Sequence, residues 1–209
     1  MEYLVTMTIQ VPEGTSEEAV QEVRAREAER SRRLAAEGHL LRLWRPPLRP
    51  GEWRTLGLFS AAGDAELEEV LASMPLRVWR TDEVLPLSPH PHDPPHGPAA
   101  NAQHDEAWVE FLIFLTVMVP DGTRDEVVGD AYAREGAHSR ALAAEGRLVR
   151  LWSAPRRLGE RRALGLWRAV DRTDMQAILK GLPMIGWMDT ETVPLAPHPN
   201  DPALVECAR

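Results

Sequence analysis

The stretch LAAEGHLLRLWRPP, Leu34 to Pro47, returns as LAAEGRLVRLWSAP, Leu142 to Pro155. The offset is 108 residues, and Pro12 and Pro120, Gly57 and Gly165, Pro75 and Pro183, and His90 and His198 share it. The two halves align without a gap, and roughly half of the aligned positions are identical. Solenoid repeats run about 20–50 residues, so a period this long is a duplicated small domain. Whatever one half folds into, the other must fold into as well.

Each copy has the same order of elements. Glu2 to Val11 alternates as a strand does. PEGTSEE gives a turn and a helix start, with Thr15 or Ser16 as N-cap and acids in the first turn. That helix runs to about Glu37, where Gly38 stops it. His39–Arg45 and Trp53–Ala61 read as strands around the loop PPLRPG. Asp64 is a candidate N-cap for a second helix through Ser73, Pro75 ends it, and Val78–Leu87 is a fourth strand. The order β-α-β-β-α-β is the ferredoxin-like pattern. The boundaries read as a first copy at 1–87, a Pro/His-rich linker at 88–108, a second copy at 109–202 and a tail at 203–209. A small sheet covered by helices on one face needs a partner for the other. The expected architecture is therefore α+β, with two ferredoxin-like domains pairing as an intramolecular α+β barrel pseudo-dimer, further homo-oligomerisation being open.

Composition narrows the function. A formal net charge of -8 argues against a nucleic-acid binder. One cysteine, Cys207, permits neither a disulfide framework nor a cysteine-based metal site within the chain. No apolar run approaches a membrane span, and EYLVTMTIQV lacks the form of a signal peptide, so a cytoplasmic location is expected. His90, His92, Asp93 and His96 invite a metal reading. They lie among prolines with no rigid element to aim them, and read as a fortuitous cluster, so no metal site is assigned. A phosphate loop and a nucleophile elbow are both missing.

The first helix carries the feature that points to chemistry. Val20, Glu27 and Leu34 stand seven apart, close to two turns, with Val23 and Ser31 on the same stripe. Val128, Glu135 and Leu142 repeat this, with Ala131 and Ser139, while Arg24, Glu29, Arg30 and Arg33 read onto other faces. A carboxylate aimed at a sheet must be paired or neutral. Desolvation raises its pKa, which suits a group that takes and returns a proton near neutral pH. The structural alternative is an ion pair of Glu27 with Arg42, and of Glu135 with Arg150, with Leu40, Arg42 and Trp44 on one strand face. Arg42 and Arg150 could instead fork a substrate carboxylate, and Trp44 and Trp152 could wall a pocket, although both also suit a core. His90 and His198 follow the last strands as S/A-P-H-P, and read either as pocket-mouth groups or as tail residues in a turn.

The pattern R-E-x-x-x-S-R-x-L-A-A-E-G-x-L-x-R-L-W, then a strand, a helix ending at M-P or L-P, a final strand and H-P, resembles the muconolactone isomerase family. The matching parts are Glu27, the Leu34/Glu37/Gly38 turn, Leu43-Trp44-Arg45, Leu71 with Pro75, and His90-Pro91. The resemblance implies ferredoxin-like subunits paired as barrels and a cofactor-free isomerase. That activity moves a double bond in a small unsaturated lactone or related enone by carboxylate-mediated proton transfer, with a small molecule as partner. It implies Glu27 and Glu135 as catalytic residues, and Arg42, Trp44, Arg45, His90, Arg150, Trp152 and His198 as substrate-binding candidates. The longer, more basic Pro46–Trp53 segment, and Ser153 in place of Arg45, depart from the pattern. Two other classes stand beside it: a cofactor-free oxygenase or cyclase acting on a polyketide-type intermediate, and a non-catalytic binding or scaffold protein. Ser153, Gly136 and Arg161 replace Arg45, Ala28 and Trp53 in the second copy, so at most one pocket, the first, is expected to be fully active.

Overall fold

A computed structural model describes residues 1–94, 108–155 and 160–206. The chain divides into two compact units, Met1–Leu87 with Ala196–Arg209, and Ser88–Leu195. The first break falls where the sequence places the end of copy one. Two segments change sides: Ser88–Asp93, read as linker, packs with the second unit, and the segment from Ala196 onward packs with the first. Part of the linker, including His96, lies outside the described residues, as does Cys207.

In the first unit the strands are β1 (Glu2–Ile9), β2 (Leu40–Arg45), β3 (Arg54–Ser60) and β4 (Arg80–Pro89), with helices α1 (Glu17–Ala36) and α2 (Asp64–Ala72). β1 is central, flanked by β3 and β4, and β2 pairs with β3. Every pairing is antiparallel, and Ala196–Pro197 adds to the free side of β2. The second unit repeats the plan with β5 (Val109–Val117), β6 (Leu148–Ala154), β7 (Arg161–Ala169) and β8 (Met188–Pro197), and helices α3 (Asp125–Ala144) and α4 (Arg172–Lys180). There β5 is central between β7 and β8, β6 pairs with β7, and Ser88–Pro89 adds to β6. Each unit is thus a mixed α+β domain in the expected element order. Among the described residues no helix is long and apolar enough to cross a membrane.

Local chemistry explains the boundaries. Ser16 caps α1 by accepting from the Ala19 N–H, and Glu17 and Glu18 sit in the positive first turn. Gly38 and Gly146 end α1 and α3 at φ +80 and +74, a region closed to most L residues. Two readings move. Asp64 is the first residue of α2 and Gly63 its N-cap. Pro75–Trp79 forms a 3-10 turn rather than the start of the fourth strand, because Pro75 opens a turn that the Arg77 N–H closes onto Met74.

A bulge decides the faces of β2. The register with β3 slips between Leu40 and Arg42. Leu40 and Leu43 therefore both pack with Leu34 in the helix-side core. Arg42 and Trp44 turn to the other face, so the expected grouping of Leu40 with Arg42 and Trp44 is corrected. β6 slips likewise between Leu148 and Arg150. An extra residue in one strand reverses the alternation beyond it, which period-two reading cannot detect.

Candidate functional site

The apolar stripe of α1 carries Val23, Glu27, Ser31 and Leu34 into the interior, all four buried. Glu27 is held from two sides. The Leu76 N–H donates to Glu27 Oε2 at 2.8 Å. The Arg80 guanidinium lies 3.5 Å from Glu27 Oε1 and 2.7 Å from Asp82. Arg77 also pairs with Asp82. Burial pushes the Glu27 carboxyl above its ordinary value, against the lowering pull of the Leu76 N–H and of Arg80.

The expected pairing of Glu27 with Arg42 does not occur. Arg42, on the opposite face of β2, pairs instead with the fully buried Asp201 at 3.1 Å and lies 4.8 Å over the Trp44 ring. Asp201 also accepts the Leu43 N–H at 3.0 Å. In the second unit Arg150 likewise lies 3.5 Å from Asp93, which accepts the Leu151 N–H at 2.7 Å, and covers Trp152 at 4.6 Å. The signal for these clamps was present: H-P-x-D-P occurs at His90–Pro94 and again at His198–Pro202. Each arginine thus has a carboxylate partner within its own unit.

Beside Glu27 a cavity of about 390 Å³ opens in the first unit. Its lining includes Glu27, Ala28, Ser31, Leu43, Thr55, Leu76 and Arg80, together with Arg24, Arg45, Trp53, His198 and Asn200. Of the sequence candidates, the fold brings Glu27, Arg45 and His198 together here. Arg42 and Trp44 are not among the lining residues. Arg24, read onto another face of α1, lines the cavity and stacks 4.2 Å over Trp53. It stands one turn before Ala28, on the edge of the stripe. His198 is tied down by its N–H to the Leu43 carbonyl and by the Asn200 N–H donating to its Nδ1 at 3.1 Å. Burial, with Arg45 and Arg24 nearby, pushes its pKa down to about 4, so the ring is neutral at pH 7.

The second copy keeps the carboxylate and loses the surroundings. The Met184 N–H donates to Glu135 at 3.0 Å, as Leu76 does to Glu27. At the positions of Arg24, Arg45 and Arg80 stand Tyr132, Ser153 and Met188. Burial again raises the Glu135 carboxyl, with the Met184 N–H, His138 and His92 pulling it down. His90 occupies the place of His198, with its pKa lowered to about 4 by burial and by His92. Among the described residues no group of three or more His, Cys, Asp or Glu side chains is placed to hold a metal ion.

Each unit is thus a ferredoxin-like α+β domain with a carboxylate in its interior, and in the first unit that carboxylate lines a cavity. The chain belongs to the muconolactone delta-isomerase family, whose model matches residues 1–93 and 109–201, one match per copy. Muconolactone Delta-isomerase 1 of Acinetobacter lwoffii is 32% identical over 90 residues, covering 43% of this chain and 91% of the relative. Solved structures that match nearly the whole chain include the following two. One is a heme-binding protein from Thermus thermophilus, with TM-score 0.60 and 10% identity, covering 99% of this chain and 95% of that one. The other is a chlorite dismutase from Candidatus Nitrospira defluvii, with TM-score 0.58 and 11% identity, covering 100% and 95%. These likenesses correct the expected function. A cofactor-free isomerase, oxygenase or cyclase cannot be read from this fold, because solved chains of the same fold and extent include a heme-binding protein. What stands is an enzyme family with an isomerase as its named activity.

Proposed function

We propose that the chain is an enzyme of the isomerase type with its working site in the cavity of the first unit. Its substrate is a small molecule bearing a carboxylate. Arg24 and Arg45 receive that carboxylate, Trp53 lies against the substrate body, and Glu27 is the proton-carrying group. The observation that carries this reading is Glu27 itself, a carboxylate of raised pKa that lines the cavity, held in place by the Leu76 N–H and Arg80. A raised carboxyl pKa is the direction that suits a group which takes and returns a proton. The cavity volume lies within the range of about 300–1,000 Å³ usual for small ligands.

His198 and His90, the histidines of the two sites, do not suit heme. A histidine that held heme would offer the iron a ring-nitrogen lone pair, most simply on Nε2 when Nδ1 carries the proton. In His198 the Nδ1 accepts the Asn200 N–H, which leaves the proton of the neutral ring on Nε2. His90 is held the same way by the His92 N–H. Neither ring, with its proton on Nε2 and its Nδ1 accepting a backbone N–H, would offer heme iron that lone pair.

The test uses muconolactone as probe in deuterated water, with the intact chain and Glu27→Gln. Turnover by the wild type with solvent deuterium in the product, falling about 10²-fold or more in the variant, is the expected result. No turnover by the wild type, or equal turnover by the two proteins, overturns the reading. Pairing of the two copies as an internal pseudo-dimer is likewise a proposal. One shared urea transition is its expected signature, and two separate transitions count against it.

A further inference from the structure

Two of the positions that line the first cavity carry a different pair of residues in the second copy. Ala28 and Asn200 line the cavity beside Glu27. Their counterparts are Gly136 and His92. A Cβ built on Gly136 would stand 2.5 Å from Cε1, 2.8 Å from Nε2 and 3.0 Å from Nδ1 of the His92 ring. The ring therefore lies flat on the helix backbone, in space that any larger residue at 136 would take. Gly136 is buried within α3, next to Glu135. Glycine is a poor helix residue, and at 136, unlike at Gly129 of the same helix, the room it leaves is occupied by a side chain.

We propose that the site of the second copy is closed by its own His92, seated on Gly136 beside Glu135, which leaves one substrate site per chain. The loss of Arg24, Arg45 and Arg80 as Tyr132, Ser153 and Met188 agrees with this. A site that admits no anion has no use for those cations. The closure and the missing cations are separate observations, and both lie within the second unit. The count of one site rests on the reading of the first cavity given above, whereas the closure itself does not.

The experiment is a double-mutant cycle in the full-length chain with Gly136→Ala, His92→Asn and the two combined. The combination reproduces the pair that coexists in the first copy as Ala28 and Asn200. Alone, Gly136→Ala is expected to lower Tm by about 2–4 °C, the shift that displacing one well-packed ring produces in a chain of this size. In the His92→Asn background the same change is expected to leave Tm unchanged or raise it. A nuclear Overhauser contact between the His92 Hε1 and the Gly136 Hα is expected in the wild type. Equal effects of Gly136→Ala in both backgrounds, with no such contact, overturn the closure. Calorimetric titration with muconolactone is expected to give one molecule bound per wild-type chain, and two overturns the single-site count. Failure to bind at all counts against the isomerase reading, and the cycle still decides the closure.

Discussion

Glu27 and Glu135 occupy the same turn of the same helix in two copies of one domain, and each accepts a backbone N–H 49 residues further on. Their surroundings differ. Glu27 meets Arg80, itself fixed by Asp82, and faces a cavity bounded by Arg24 and Arg45. Glu135 meets imidazoles, one of which covers the adjoining helix backbone. The frame that places the carboxylate is a property of the domain: a helix stripe and the backbone N–H that follows Pro75 or Pro183, which the carboxylate accepts. What the carboxylate can do is set by four or five side chains around it. Duplication preserved the former in both halves and released the latter in one.

The largest effect that would sharpen this contrast is on turnover. Glu27→Gln is expected to reduce kcat/KM for muconolactone by about 10²–10⁴-fold, the usual range for an acid–base group, and Glu135→Gln by less than twofold. Equal losses would erase the difference between the copies. Stability comes next. Arg80→Met installs the residue that the second copy has at Met188, and removes the cation of buried Glu27 and one of the two cations of Asp82. Urea unfolding is expected to show a loss of about 3–5 kcal/mol, with Asp82→Thr, copied from Thr190, recovering part of it. An unchanged midpoint would mean that the Arg80 cluster is dispensable.

Arg45→Ser, which reproduces Ser153, is expected to raise KM about tenfold with little change in kcat. A lost charged hydrogen bond is worth about 1.5–3 kcal/mol in binding. A fall in kcat at constant KM would instead place Arg45 in the chemical step. The smallest effect is on pH dependence. The folded-state pKa of His90 and of His198 is about 4, below the ordinary 6.5, so between those values the unfolded chain binds more protons. Stability from these rings is fully present above 6.5 and is lost as pH falls toward 4. Glu27 has the opposite sign. Its raised pKa favours the folded state at low pH, and that benefit fades as pH rises from 4.5 through the raised value. Replacing both histidines with Gln is expected to flatten the slope between pH 4 and 6.5, as read by urea midpoints. A slope unchanged by that pair of substitutions would show that the rings are solvated.

Much of the site was legible from spacing alone. The seven-residue interval placed Glu27 among Val23, Ser31 and Leu34, because a helix repeats its faces whatever surrounds it. The direction of its pKa followed from that burial. The partner was misread, since Arg42 is the first paired residue past a bulge that no periodicity reports. Arg80 and Asp201 escaped because their distance from the site in sequence carries no information about distance in space. His198 was legible as a candidate at the end of a last strand, and so was Arg45. That both belong to one cavity with Glu27 was not.

The sequence by itself determined the duplication, the order of elements, the interior carboxylate of each copy and the family. Those properties depend on local periodicity, capping and aligned identity. Tertiary structure alone decided which cation meets which carboxylate, that Ala196–Asp201 completes the first unit and Ser88–Asp93 the second, and that one copy is open where the other holds a histidine ring. These are outcomes of strand register and chain return. Each is set by the packing of residues far apart in sequence, where one extra residue in a strand reverses what a side chain faces.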